Sequence, residues 1–278
     1  MKFFRFHLIL LAFLSLGALS LNAAQLASAK VTEVLGTVTK YTADGGNSPV
    51  QTGDILKEGD SISASALSQA KLVFSNGSLL TIEENTSISI SELSQDSFSG
   101  SQSYEQLEAD PSKSQVLLEL NYGILNGHVK KLQKGSKFDI ATPLGTAAIR
   151  GTKWSVKLFY NAERGEFLLI VKNKDGELDI LSRYLGEFEY GAGNIGDKGY
   201  DSALSNDTNE PVPQKHTVVI RLHRTDPYFG ALFNLMKNYI PTNPRPGFIP
   251  LPPLQITPED GGVIVVSPEN QGNNGNNR

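Results

Sequence analysis

The stretch TPLGTAAIRGTKW, residues 142 to 154, sets one guanidinium, Arg150, among small residues and glycines, with the only tryptophan of the chain close behind it. A guanidinium buried in such surroundings must find carboxylate or carbonyl oxygens. Its five donors form a rigid fork, suited to tying together the carbonyls of crossing loops. Around it, Pro143 removes a ladder donor and ends an incoming strand. Thr142 and Gly145 belong to the same turn. Gly151 permits a close-packed backbone, and the Thr152 hydroxyl can bond a neighbouring main-chain group. Trp154 leads an outgoing strand with Val156 and Leu158 on its face. No base, nucleophile or metal ligand stands beside the arginine, so the segment reads as a fastener and not as a catalyst.

Other stretches offer chemistry less directly. Lys130, Lys131, Lys134 and Lys137 lie within HVKKLQKGSK, which is either a small patch attracting the carboxylates of a partner or an acidic glycan, or a solvated turn. GAGNIG at 191–196 matches the dinucleotide fingerprint in letters, but no strand-helix-strand unit surrounds it, and a glycine-rich loop is expected. His128 stands alone, and His216 and His223 are an odd interval apart on one predicted strand, which points them to opposite faces and against a shared metal. No GxSxG elbow appears. Glu83, Glu84, Glu119 and the group Asp54, Glu58 and Asp60 read as solvated turn and surface carboxylates. Neither a catalytic residue, a metal site nor a cofactor is expected.

Short bursts of alternating apolar and polar residues run from Val31, cut by turn residues, as half-buried strands require. Asn76-Gly77 between AKLVF and LLTI predicts a tight hairpin. Residues 94–114 are a polar insertion. SQVLLELNYG, GILNGHV and SKFDIATP read as successive strands. KWSVKLFY, EFLLIVKN and ELDILS read as a meander turning at Glu163-Arg164-Gly165 and at Asp175-Gly176. Asp226-Pro227 starts a single helix, with Phe229, Leu232, Phe233 and Met236 as its apolar stripe, expected to pack on its own sheet. GGVIVVSP near the end is a β-branched segment able to add as an edge strand to this domain or another, or an unused sticky one.

The start, MKFFRFHLILLAFLSLGALSLNAAQLASAK, has the basic, apolar and small-residue parts of a secretory signal, with an apolar run below the ~20 residues that span a bilayer. Cleavage is expected between about 23 and 29. Without Lys2 and Arg5, 23 basic residues face 29 acidic ones, a net charge near −6, which argues against nucleic acid as a partner. The chain has no cysteine, so neither disulfides nor a lipidated cysteine anchor it. The expected organisation is a signal at 1–29, an all-β domain at 30–190, a loop and added strand at 191–225, a helix at 226–240 and a proline- and asparagine-rich disordered tail at 241–278. The fold class is an antiparallel sandwich or roll of short stacked strands.

Together, TPLGTAAIRGTKWSV, the upstream LKEGDSISASALSQAKLVFSNGSLLTI at 56–82, and LNYGILNGHVKKL followed by SKFDIATP resemble the FecR domain family over roughly Val31 to Tyr160. The resemblance implies an all-β periplasmic domain that touches another envelope protein. It also implies signal transduction, since members of the family couple an outer-membrane receptor to a sigma factor through a cytosolic segment. Here a secretory signal stands where that segment would be. The expected role is thus non-enzymatic binding of another envelope protein or a surface polymer, as sensor or scaffold, in the periplasm or at the cell surface. Membrane contact is expected only through export or an uncleaved signal. A sensor for a separately encoded regulator and, more remotely, a polysaccharide-acting enzyme are the alternatives.

Overall fold

The computed structural model describes residues 27–99, 102–182, 187–190, 201–203, 210–239 and 263–266. Strand β1 (Ala29–Leu35) buries Ala29 and Val31, and is followed by β2 (Val38–Tyr41), the short β3 (Asn47–Pro49) and β4 (Ile55–Leu56), and β5 (Ser61–Ala64). The predicted hairpin joins β6 (Gln69–Phe74) to β7 (Leu79–Ile82): Gly77 takes a φ of 81°, and the Asn76 side-chain oxygen accepts the Ser78 N–H at 3.0 Å. Strand β8 (Thr86–Gln95) turns Ile88 and Ile90 inward.

Three long strands follow, and they depart from the short ones expected. What reads as two segments is one strand, β9 (Ser114–His128). After β10 (Lys137–Thr142), strand β11 (Gly145–Asn161) runs straight through the arginine motif. Past the predicted turn at Gly165, β12 (Glu166–Leu181) continues through Asp175-Gly176 without reversing. The remaining elements are β13 (Glu187–Tyr190), β14 (Asp201–Ala203), β15 (Glu210–Pro211), β16 (Thr217–His223), helix α1 (Phe229–Met236) and β17 (Val263–Val266).

Each long strand changes partners at a glycine of positive φ: Gly123 at 108°, Gly151 at 62° and Gly176 at 86°. The first half of β9 pairs with β8 and, in parallel, with β10, whereas its second half pairs with β7 and β11. Likewise the first half of β11 pairs with β10, and the two ends of β12 pair with β16 and β15. One layer therefore runs β3-β2-β5-β8-β9-β10-β11-β12-β15, and the other β4-β1-β6-β7-β9-β11-β12-β16-β17-β13-β14. Their inner faces meet in one core. Phe138 of β10 touches Phe74 of β6 edge to face, ring centroids 5.4 Å apart, and Trp154 at 6.4 Å. The expected all-β sandwich or roll is thus found, with three bent strands serving both layers.

The helix is shorter than the 226–240 expected. Asp226 Oδ1 accepts the Tyr228 N–H at 2.9 Å, so the Asp-Pro pair caps a turn just ahead of it. Its stripe packs on its own sheet, with Phe229 against Phe167 at 5.3 Å and Phe233 against Tyr160 at 5.5 Å between centroids. Of GGVIVVSP, the four residues of β17 lie between β16 and β13. Most of the signal segment, GAGNIG and the tail apart from β17 lie outside the described residues. No helix among the described residues is long and apolar enough to cross a membrane.

Candidate functional site

The arginine motif is a hairpin followed by a bulge. Thr142 closes the hairpin: its hydroxyl lies 2.8 Å from the Gly145 carbonyl and accepts the N–H groups of Leu144 and Gly145 at 3.2 and 3.1 Å. Pro143 occupies the turn. A Cβ on Gly145 would lie 2.8 Å from the Leu181 carbonyl oxygen, so glycine lets β12 approach.

Further on, Gly151 and Thr152 together oppose Gly176, and Lys174 is the extra residue on the facing strand. The two insertions cancel, so the pairing offset is the same on both sides of the bulge. The effect on facing is decisive. Strict alternation from the buried Ile149 would turn Trp154 to solvent. The extra residue instead leaves Arg150 outside and Trp154 fully buried, its ring lying over Gly127. Thr152, also fully buried, fixes this bend. Its hydroxyl donates to Asn173 Oδ1 at 2.9 Å and sits 3.4 Å from Asp175 Oδ1, which accepts the Lys153 N–H at 2.6 Å. Asn173 passes the tie on to the Val212 carbonyl at 2.7 Å.

The expectation that Arg150 is the fastener is therefore corrected. Its side chain is exposed and makes no hydrogen bond or ion pair among the described residues. The small residues beside it are small because they floor a groove, not because the arginine is enclosed. Thr146, Ala148 and Arg150 face outward from β11, and Lys137 and Asp139 from β10. With Leu181 of β12 they line a cavity of about 240 Å³.

Asp139 faces Ala148 in the last pair of the ladder, and Lys137 and Arg150 each stand two residues beyond it and line the same cavity. Neither Lys137 nor Asp139 has a side-chain hydrogen bond or ion pair among the described residues. Burial pushes the Asp139 carboxyl above its ordinary value of 3.8, against the pull of Lys137 and Arg150 and with a further push from Glu92. Three charged groups thus stand around one groove with no bonded partner among the described residues, an arrangement suited to receiving a small charged ligand.

The lysine run divides. Lys131 passes beside the bulge, its Cα 3.6 Å from where a Cβ on Gly151 would lie, and Lys137 enters the groove. Lys130 turns away to Glu108, at 3.7 Å, with its side chain 14% exposed, and Lys134 is exposed in the turn before β10.

The turn carboxylates bind backbone: Asp54 accepts the Gln51 N–H, Asp60 that of Lys57 and Glu58 that of Leu93, while Glu119 is exposed on β9. Among the described residues no three His, Asp or Glu side chains group as a metal site.

A fastener that sequence reasoning missed is Asp110, 1% exposed in the polar insertion. Its carboxylate accepts from Ser114 Oγ at 2.8 Å, Ser136 Oγ at 2.7 Å and Gln95 Nε2 at 3.2 Å, and Asn76 Nδ2 reaches Ser114 Oγ at 3.2 Å. These partners come from four separate segments, so no local pattern announces it.

No curated protein matches the chain. Two crystal structures of a candidate anti-sigma factor from Parabacteroides distasonis ATCC 8503, at 2.50 and 1.65 Å resolution, are similar over 55% of this chain and 57% of theirs, at 13% identity and a TM-score of 0.30. The match thus spans little more than half the length of that protein. The model of the family described as FecR protein matches residues 60–173, from the edge of β5 to the bulge in β12. The matched stretch, residues 60–173, is similar to a FecR domain, and β1 on one side of the match and β16 on the other add strands to its sheet.

Proposed function

We propose that this chain is an exported, non-catalytic FecR-domain protein that binds another component of the cell envelope, as sensor or scaffold, on the outer face of β10 and β11. The observation that carries this reading is the groove where Lys137, Asp139 and Arg150 have no side-chain hydrogen bond or ion pair among the described residues. A bulge with a buried threonine sets the arginine on that outer face, at a cost in backbone regularity. The FecR match supports a signalling form of the role, in which binding is passed to a separately encoded membrane regulator.

Export follows from the amino-terminal pattern. Cleavage before Ala27 suits the fold, because Ser28 already bonds the hairpin through Ser75 and Ala29 is fully buried. The test is a photo-crosslinking side chain at Thr146, in the groove, or at Ser63, on β5 of the same layer, in fractionated cells of the native host. The expected result is a trimmed chain in the envelope fraction, with a crosslinked species from Thr146 that Arg150→Glu abolishes. A chain retained in the cytoplasm with its leader, or equal crosslinking from both positions, refutes the proposal.

A further inference from the structure

Resting on the reading of this face as a binding surface, we propose that the groove between β10 and β11 is a receptor for a carboxylate: the C-terminal end of a peptide with a small apolar last residue, held by Arg150 and Lys137.

The charge layout asks for an anion. Like charges set close together repel, and Lys137 and Arg150 line the same cavity, each two residues past the last pair of β10 with β11. Glu177 is the registered neighbour of Arg150 on its other side, yet the two form no ion pair. Asp139 offsets part of the repulsion, and an anion seated between the two cations offsets the rest.

Among anions, a carboxylate matches the planar fork of a guanidinium with two parallel hydrogen bonds. The surroundings select for a single charge. Asp139 lies in the groove, and Asp179 and Glu177 border it on β12, so a polyanion such as an acidic glycan meets three carboxylates for two cations. Size narrows the ligand further. The cavity of about 240 Å³ is smaller than the ~300–1,000 Å³ of ordinary small-molecule sites, and takes one or two small residues. Its floor supplies the methyl groups of Thr146 and Ala148 and the side chain of Leu181, against which an alanine-sized side chain packs. Asp139 is placed to accept the N–H of that last residue.

The experiment uses the mature chain labelled with ¹⁵N and three probes: acetyl-Ala-Ala with a free carboxylate, the same peptide as its amide, and inorganic phosphate. The expected outcome is saturable shifts of the amide signals of residues 146–150 with the free acid and none with the amide. Arg150→Ala is expected to weaken the acid by about tenfold or more, and Lys137→Ala by less, with both melting temperatures unchanged. Equal response to acid and amide, equal response to phosphate, or no response to the acid overturns the proposal. Acetyl-Ala-Asp-amide binding as well as the free acid overturns the C-terminal assignment.

The two levels of reading separate cleanly. A crosslink from Thr146 with no response to the acid leaves the binding face standing and removes its carboxylate chemistry. A response to the acid without any crosslink does the reverse.

Discussion

At the scale of single residues, exposure divides the arginine motif into a part that holds the fold and a part that does not. Arg150→Ala and Arg150→Lys are expected to shift stability by less than about 0.5 kcal/mol in urea unfolding, because the side chain is exposed and makes no bond among the described residues. Thr152→Val removes the donor to a fully buried Asn173 and is expected to lose about 1–3 kcal/mol in the same measurement. Trp154→Ala is expected to lose about 3–5 kcal/mol. Trp154→Phe should lose much less, since the indole N–H is buried without a partner. Asp139 gives a test in pH. Its folded pKa lies above 3.8, so between those values the folded chain holds a proton that the unfolded chain has released. Stability therefore falls as pH rises through that window, and the deficit persists above it. Asp139→Asn is expected to raise the urea midpoint near neutrality and to lose its advantage below pH 3.8. The charged groups acting on it are Lys137 beside it, Arg150 on β11 and Glu92 on β8. Small neighbours suit two situations, a tight interior and the floor of a groove, and the sequence alone does not distinguish them, so Arg150 reads as enclosed until the strands are placed.

At the scale of elements, turn chemistry was legible where it is local and misleading where a second strand decides its use. Asn76-Gly77 makes the expected hairpin. Asp175-Gly176 offers the same positive φ, but there it serves a bulge against Gly151, a partner far away in sequence. A Cβ on Gly176 would strike the Gly151 carbonyl and come within 2.9 Å of Thr152 Cβ, at a φ of 86°. Gly176→Ala is accordingly expected to destabilise by about 1–3 kcal/mol, read as a lower melting temperature, whereas Gly45→Ala meets no atom within 4 Å and suffers only the strain of its own φ. Strand β9 read as two segments because Gly123 and Gly127 interrupt its pattern. The first bends it and the second makes room for the Trp154 ring, neither of which local propensity reports. The insertion is tied down by Asp110, and Asp110→Ala is expected to lose about 2–3 kcal/mol by leaving Ser114, Ser136 and Gln95 without their acceptor.

At the scale of the whole molecule, alternation and turn signals sufficed for the fold class, and separated motifs in order sufficed for the family. Layer assignment was not legible, because it depends on where three strands bend together. The amino terminus gives a matching test. A chain beginning at Ala27 keeps every described residue, while one beginning at Thr32 loses Ala29 and Val31 from the core and should be less stable by about 2 kcal/mol or more. The paired bulge also reaches into the gene. A codon lost from β11 alone would slip the ladder of one layer by a residue, setting side chains that should share a face on opposite sides of the sheet. Loss of a second codon, from the facing part of β12, would restore the match and straighten the bend. A chain shortened by one residue at Gly151 should therefore melt lower than one that also lacks Lys174.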